Sequence, residues 1–184
     1  MAGVFNEAVL TTKGIALLAK AQANICAIQF TRAVTGNGSY SSGEDLTGRT
    51  ALKSQKQTFN LNTVMVKNNT NVFVKFIVTN YKSSIDYLTQ GYYVTEIGLY
   101  AMDPDEGEIL YAIATAVTDQ WDYMPSYNNL IPAKITIDMM AEVVNADTVT
   151  IEAPNEMYLY DENTGDKYVL GIQNGLLYYE EVEE

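Results

Sequence analysis

The chain has 184 residues, a formal net charge of −12, one cysteine and no histidine, a length that suits one main domain with a real core and a small appendage. Without histidine, Ser–His and Cys–His hydrolysis, histidine-containing zinc sites and histidine proton shuttles are excluded, and Cys26 has no partner for an internal disulfide. The charge is uneven: residues 1–82 hold nine Lys/Arg against three Asp/Glu, and residues 83–184 hold two against twenty.

The first element is a helix in LTTKGIALLAKAQAN. Thr11 or Thr12 supplies an N-cap oxygen for the free N–H groups of the first turn. Ile15, Leu18 and Ala19 share a face, with Lys13 and Lys20 away from it, and Asn24 is a stop. Gly14 costs such a helix about 1 kcal/mol relative to alanine. Its presence therefore calls for close packing or a neighbouring backbone.

Nearly everything after the helix has a period of two. ICAIQFTRAV (25–34) begins the strands, with Cys26 a buried, inert thiol among apolar neighbours. The polar loop TGNGSYSSGEDLTG has only Tyr40 and Leu46 to anchor it. FNLNTVMVK (59–67) and NVFVKFIVTN (71–80) flank NNT and read as a hairpin. GYYVTEIGLYA (91–101) runs through DPDEGE to ILYAIATAV (109–117) as a second hairpin. In the former, Tyr92, Val94, Gly98 and Tyr100 share one strand face, with Glu96 in the middle. AKITIDMMAEV alternates cleanly, and NAD separates it from TVTIEA in what reads as a third hairpin. Between these lies TDQWDYMPSYNNLIPA, an aromatic loop whose composition is that of ordered chain rather than flexible linker.

APN (153–155) marks a boundary. Beyond it MYLY, KYVLGIQ and LLYYEEV are three short strands, the last two joined by Asn174-Gly175, a strong hairpin signal. A meander this short holds too little core to stand alone. The expected fold is α+β, mostly antiparallel β and sandwich-like with one N-terminal helix, plus a three-stranded meander. The expected domains are residues 1–152 and 153–184.

Chemistry is scarce. Asp103, Asp105, Glu106 and Glu108 occupy a hairpin turn, where acids are usually solvated, and neither DPDEGE nor DENTGD has the spacing of a calcium loop. No catalytic, cofactor or metal site is expected. The loop residues Trp121, Tyr123 and Tyr127 stack a sugar, anchor a protein partner, or cap one end of the body. Glu96 needs a partner if buried: backbone N–H groups, or a cation such as Arg32 or Lys13. Gly98 would make room for that partner. The uneven charge reads either as a solvated acidic end or as opposite ends joining subunits or partners. Dispersed basic residues under a negative field exclude nucleic acid as a partner. No apolar run reaches the roughly 18 residues of a membrane span, and MAGVFNEAVL lacks the regions of a secretory signal. Synthesis in a cytoplasm, without membrane insertion, is expected.

FNEAVLTTKGIALLAKAQA, the aromatic pair before Glu96-Ile97-Gly98-Leu99-Tyr100, and the closing NADTVTIE together resemble the phage tail-collar fibre family over roughly residues 1–152. The resemblance implies a non-enzymatic virion structural protein of a contractile-tailed phage or tail-like bacteriocin, made in the bacterial host. It implies a short tail fibre or fibre adaptor, a homotrimer, attached to baseplate proteins through its N-terminal region. The anchoring residues would be Thr12, Gly14, Ile15, Leu18 and Ala19, with Glu96 and Gly98 as a structural pin. The alternative is a host-surface carbohydrate- or receptor-binding module of the tail tip, using Trp121, Tyr123 and Tyr127. Other fibre proteins or a bacterial surface receptor are the further partners.

Overall fold

A computed structural model describes residues 4–67, 71–142, 151–152, 157–160, 167–173 and 176–181. The chain forms two compact units, Met1–Ala153 and Pro154–Glu184. The architecture is α+β and mostly antiparallel, with a single short helix among the described residues.

In the first unit, β1 (Val9–Leu10) leads directly into α1 (Thr12–Gln22). β2 (Ile28–Gly36) follows, then β3 (Gln55–Phe59), β4 (Thr63–Lys67) and β5 (Asn71–Thr79). After these come β6 (Tyr92–Val94), β7 (Glu96–Asp103), β8 (Gly107–Thr115), β9 (Asp122–Met124), β10 (Lys134–Glu142) and β11 (Ile151–Glu152). One sheet has the order β1-β8-β7-β2-β11, with β3 also on β2; a second has the order β10-β5-β4. β6 and β9 form a separate two-stranded ribbon.

The β4–β5 and β7–β8 hairpins form as their alternation and turn residues require. The joining NNT of the first lies outside the described residues, and Phe59 belongs to β3 rather than to β4. Among the described residues the third hairpin does not form. β10 pairs with β5, while β11 runs parallel to β2, with Ile151 opposite Ile28. Alternation fixes which residues of a strand face the core, not which strand lies beside it. The NAD turn itself lies outside the described residues.

The main core draws on both sheets and the helix. Val72, Val74, Phe76 and Val78 of β5 and Ile137 and Met139 of β10 meet Phe30, Ala33, Ile97, Leu99, Ala101 and Tyr111. Leu17, Leu18 and Ala21 cover the same cluster from the helix. Across the first sheet, Val34, Leu52, Tyr100, Leu110 and Ile113 make a second cluster. Tyr40 and Leu46 pack against it, so the two apolar residues of the polar loop do anchor it.

GYYVTEIGLYA is not one strand. Tyr92 and Val94 face the main core, but so do Ile97, Leu99 and Ala101. The phase therefore reverses at Thr95, whose N–H donates to Gly36 O (3.0 Å) and whose carbonyl accepts from Ala116 N–H (2.9 Å). The chain leaves the β6–β9 ribbon there and enters the six-stranded sheet. From Glu96 to Ala101 the strand is buried on both faces, as a central strand between two clusters must be.

In the second unit, β12 (Met157–Tyr160), β13 (Lys167–Gln173) and β14 (Leu176–Glu181) form the expected antiparallel meander. Gln173 lies opposite Leu176, and the intervening Asn174-Gly175 and the earlier DENTGD lie outside the described residues.

Candidate functional site

The helix is fastened at its start by β8. Opposite Leu99 and Tyr100, β8 offers Ala112 and Leu110, leaving Tyr111 as an extra residue. Such a bulge turns backbone carbonyls out of the ladder. Tyr111 O accepts from Thr11 N–H (3.0 Å), and Leu110 O accepts from the Thr11 hydroxyl. The same hydroxyl oxygen accepts from Gly14 N–H at 3.0 Å, which makes Thr11 the N-cap. A Cβ on Gly14 would lie 2.1 Å from Tyr111 O, so only glycine lets the helix come this close. Asn24, at φ 56°, ends it in the left-handed conformation.

The turn acids grip lysines near both ends of the helix. Lys20 bonds Asp103 and Asp105, both at 2.8 Å, and Lys13 pairs with Glu106. Arg32 makes a fork to Glu108 at 2.8–3.0 Å. The Lys20 ammonium, helped by the N–H groups of Asp105 and Glu106, holds the buried Asp103 carboxyl below its usual range. The Arg32 guanidinium does the same to Glu108. Basic residues of the first half thus pair with acids of the second half within one chain. Among the described residues no group of three or more His, Cys, Asp or Glu side chains could hold a metal ion. No described helix is long and apolar enough to cross a membrane.

These contacts redistribute the helix residues named from sequence. The buried face is Gly14, Leu17, Leu18 and Ala21. Ile15 is 51% exposed, and Thr12, Ala16 and Ala19 also face outward. The expected Ile15–Leu18–Ala19 core face is therefore corrected: Leu18 alone of the three is buried. Thr12 bonds Thr47 O through its N–H (2.7 Å) and its hydroxyl (3.2 Å), tying the polar loop to the helix. Cys26 is half-buried at the edge of the core rather than fully enclosed.

Glu96 is fully buried at the start of β7. One carboxylate oxygen accepts from Gly38 N–H (2.8 Å) and Ser54 N–H (2.7 Å). The other accepts from Lys53 N–H (2.9 Å) and from the Tyr40 hydroxyl. All four partners are donors from two loop segments, which Glu96 ties together. Burial, then the bond to Glu96, pushes the Tyr40 hydroxyl up. The partners are thus backbone N–H groups and a tyrosine, not a cation: Arg32 and Lys13 are engaged by Glu108 and Glu106. Gly98 has a different duty from the one expected. A Cβ there would meet Leu110, Val34 and Leu52, all apolar residues of the second cluster. The room around the carboxylate comes from Gly36 and Gly38, where a Cβ would lie 2.3 and 2.6 Å from Glu96 Oε1.

The three loop aromatics separate. Trp121 and Tyr123 gather around Tyr93 of β6, with ring centroids 5.8 and 5.0 Å from it. Tyr127 instead packs on Tyr81 (4.5 Å) and Tyr87 (6.0 Å). The loop is held by the Asn80 side chain, whose Oδ1 accepts from Ala133 N–H (2.8 Å) and whose Nδ2 donates to Pro125 O (3.1 Å). Strand β9 sits inside this loop, too short to announce itself by periodicity. Tyr93, Trp121 and Tyr123 line a cleft of about 1020 Å³, whose other walls are drawn from within residues 6–9, 37–46, 88–95 and 115–118, with Lys56. Gly91 fits this arrangement, since a Cβ would lie 2.3 Å from the Tyr123 hydroxyl.

A family model described as phage tail-collar fibre protein, N-terminal, matches residues 1–162. The chain belongs to the phage tail-collar fibre family. No curated protein and no solved structure matches it. As a member of a structural, non-enzymatic family it is a tail fibre component of a virion. In this tail-collar fibre domain the capped helix, the Glu96 junction and the aromatic cleft are all parts of the matched region.

Proposed function

We propose that the chain attaches to the baseplate of a contractile phage tail or tail-like bacteriocin, as a short fibre or fibre adaptor, through the outward face of α1. The observation that carries this reading is the uncharged stripe Thr12–Ile15–Ala16–Ala19, exposed on a helix whose lysines are drawn aside to Asp103, Asp105 and Glu106. A rigid helix with a small, apolar, charge-free face presents little desolvation cost to a docking protein. Gly14 and Leu18 serve the same attachment from within, by fixing the helix on β8. Substituting Ile15→Asp or Ala19→Lys should block incorporation into tails while leaving the unfolding midpoint unchanged. Normal incorporation of both variants would refute the attachment. These surface changes test it better than deletion of residues 1–24, which would also strip Leu17 and Leu18 from the core.

The reading includes a homotrimer, the assembly implied by the family resemblance. Light scattering should then give about three times the 20.4 kDa chain mass; a monomer mass would exclude it. A second reading, a receptor contact on the host surface, is favoured by the exposed aromatics of the cleft.

A further inference from the structure

The cleft beside β6 has a composition that narrows its ligand. Tyr93, Trp121 and Tyr123 are 52%, 41% and 53% exposed although Trp121 packs edge-on and Tyr123 tilted against Tyr93. Large aromatic faces are thus held rigidly in water, with Tyr123 seated by Gly91. Around them are Thr89, Gln90 and Ser42, whose side chains have no hydrogen-bond partner among the described residues. A purely apolar ligand would cover these groups without replacing their bonds to water, at the full desolvation penalty. A sugar ring matches both features: its C–H face stacks on an aromatic ring while its hydroxyls reach amide and hydroxyl groups at the edge. The volume, about 1020 Å³, suits several linked rings rather than one.

Charge decides between sugar classes. The lining includes Glu7 and Glu44 against Lys56, and Glu44 is already bonded to Lys53 (2.7 Å). The first unit holds ten Lys/Arg against fifteen Asp/Glu and sets no basic cluster in the cleft, so it offers nothing to hold uronic, sialic or phosphorylated glycans, or the phosphates of a nucleic acid.

We propose that this cleft binds a neutral glycan chain, stacked on Tyr93, Trp121 and Tyr123. The proposal deepens the receptor-contact reading above. Trp121 is the single tryptophan of the chain, so its emission reports on the cleft directly. The full chain is titrated with short neutral oligomers of glucose, mannose and N-acetylglucosamine, and with oligogalacturonate as the anionic control. A saturable change in Trp121 emission with a neutral oligomer is expected, weakened about tenfold in Tyr93→Ala and, by calorimetry, in Tyr123→Ala, with unfolding midpoints unchanged. No response to any neutral oligomer, a response to oligogalacturonate alone, or undiminished binding by both variants overturns the assignment. Adsorption of assembled tails carrying Tyr93→Ala separates the two levels. Lost adsorption without any sugar response overturns the glycan and keeps the receptor contact; sugar binding with unaltered adsorption supports the glycan and overturns the receptor role.

Discussion

Replacing Glu96 with glutamine keeps the shape of the side chain and removes half of its accepting capacity. In the native protein two oxygens receive four donors: Gly38, Ser54 and Lys53 N–H and the Tyr40 hydroxyl. Glutamine can keep one oxygen toward Gly38 and Ser54, but its NH₂ then faces the Lys53 N–H, donor against donor. The Tyr40 hydroxyl can rotate to accept, whereas a backbone N–H cannot. The loss is therefore one charge-assisted bond, worth about 1.5–3 kcal/mol, and it is deepened because the Lys53 N–H is left with only its long bond to the Tyr40 hydroxyl (3.3 Å). Relief from burying a charge offsets part of this. The net expectation is a destabilisation of about 2–4 kcal/mol. At about 2–4 °C per kcal/mol for a chain of this size, the midpoint should fall by about 4–16 °C. Thermal or urea unfolding followed through Trp121 emission reads the first unit, to which that residue belongs. Tyr40→Phe serves as the graded control, because it removes a single donor and should cost about 1–2 kcal/mol. A Glu96→Gln variant within about 0.5 kcal/mol of the parent would refute the pin, since surface changes of no consequence fall in that range.

Three further outcomes follow from the same contacts. Gly14→Ala gains about 1 kcal/mol of helix propensity, but its Cβ would stand 2.1 Å from Tyr111 O. Backbone cannot yield as a side chain can, so a net loss of about 1–2 kcal/mol is expected by denaturant titration, and a stabilised variant would contradict the packing. Tyr111→Phe removes a buried hydroxyl that has no hydrogen-bond partner among the described residues, and should raise stability by about 0.5–2 kcal/mol; a less stable variant would show that the hydroxyl is satisfied after all. Acid should loosen the helix attachment at Asp103 and the link between β2 and β8 at Glu108. Asp103 and Glu108 are held below their usual values by Lys20 and Arg32. Their contribution is therefore complete above the unfolded values, about 3.9 and 4.3, and is lost as pH falls through the lower folded ones. Stability measured from about pH 5 downward should fall, less steeply in Lys20→Met; identical acid limbs would sink the assignment to Asp103.

The sequence by itself determined what local chemistry determines. Thr11 and Asn24 bound the helix because a hydroxyl and a left-handed residue satisfy its free backbone groups wherever it packs. The β4–β5, β7–β8 and β13–β14 pairings were legible because a short turn leaves neighbouring strands little choice of partner. The polar inventory, with no histidine and one cysteine, already excluded histidine-dependent hydrolysis and an internal disulfide. The family resemblance, too, was carried by contiguous motifs.

Tertiary structure decided whatever depended on residues distant in the chain. Alternation through GYYVTEIGLYA could not disclose the reversal at Thr95, because its cause is bonding to Gly36 and Ala116, far away in sequence. The helix face turned on the Tyr111 bulge, which admits Gly14 and leaves Ile15 in water. β11 chose β2 over its sequence neighbour because a period of two specifies a face and not a partner. Trp121 and Tyr123 parted from Tyr127 because β6 supplies Tyr93 to one group and residues 81–87 supply the rings for the other. Glu96 asked for a partner in the sequence alone. Only the fold could bring Gly38, Tyr40, Lys53 and Ser54 to one carboxylate, since a loop's donors converge only after the strands that carry it have paired.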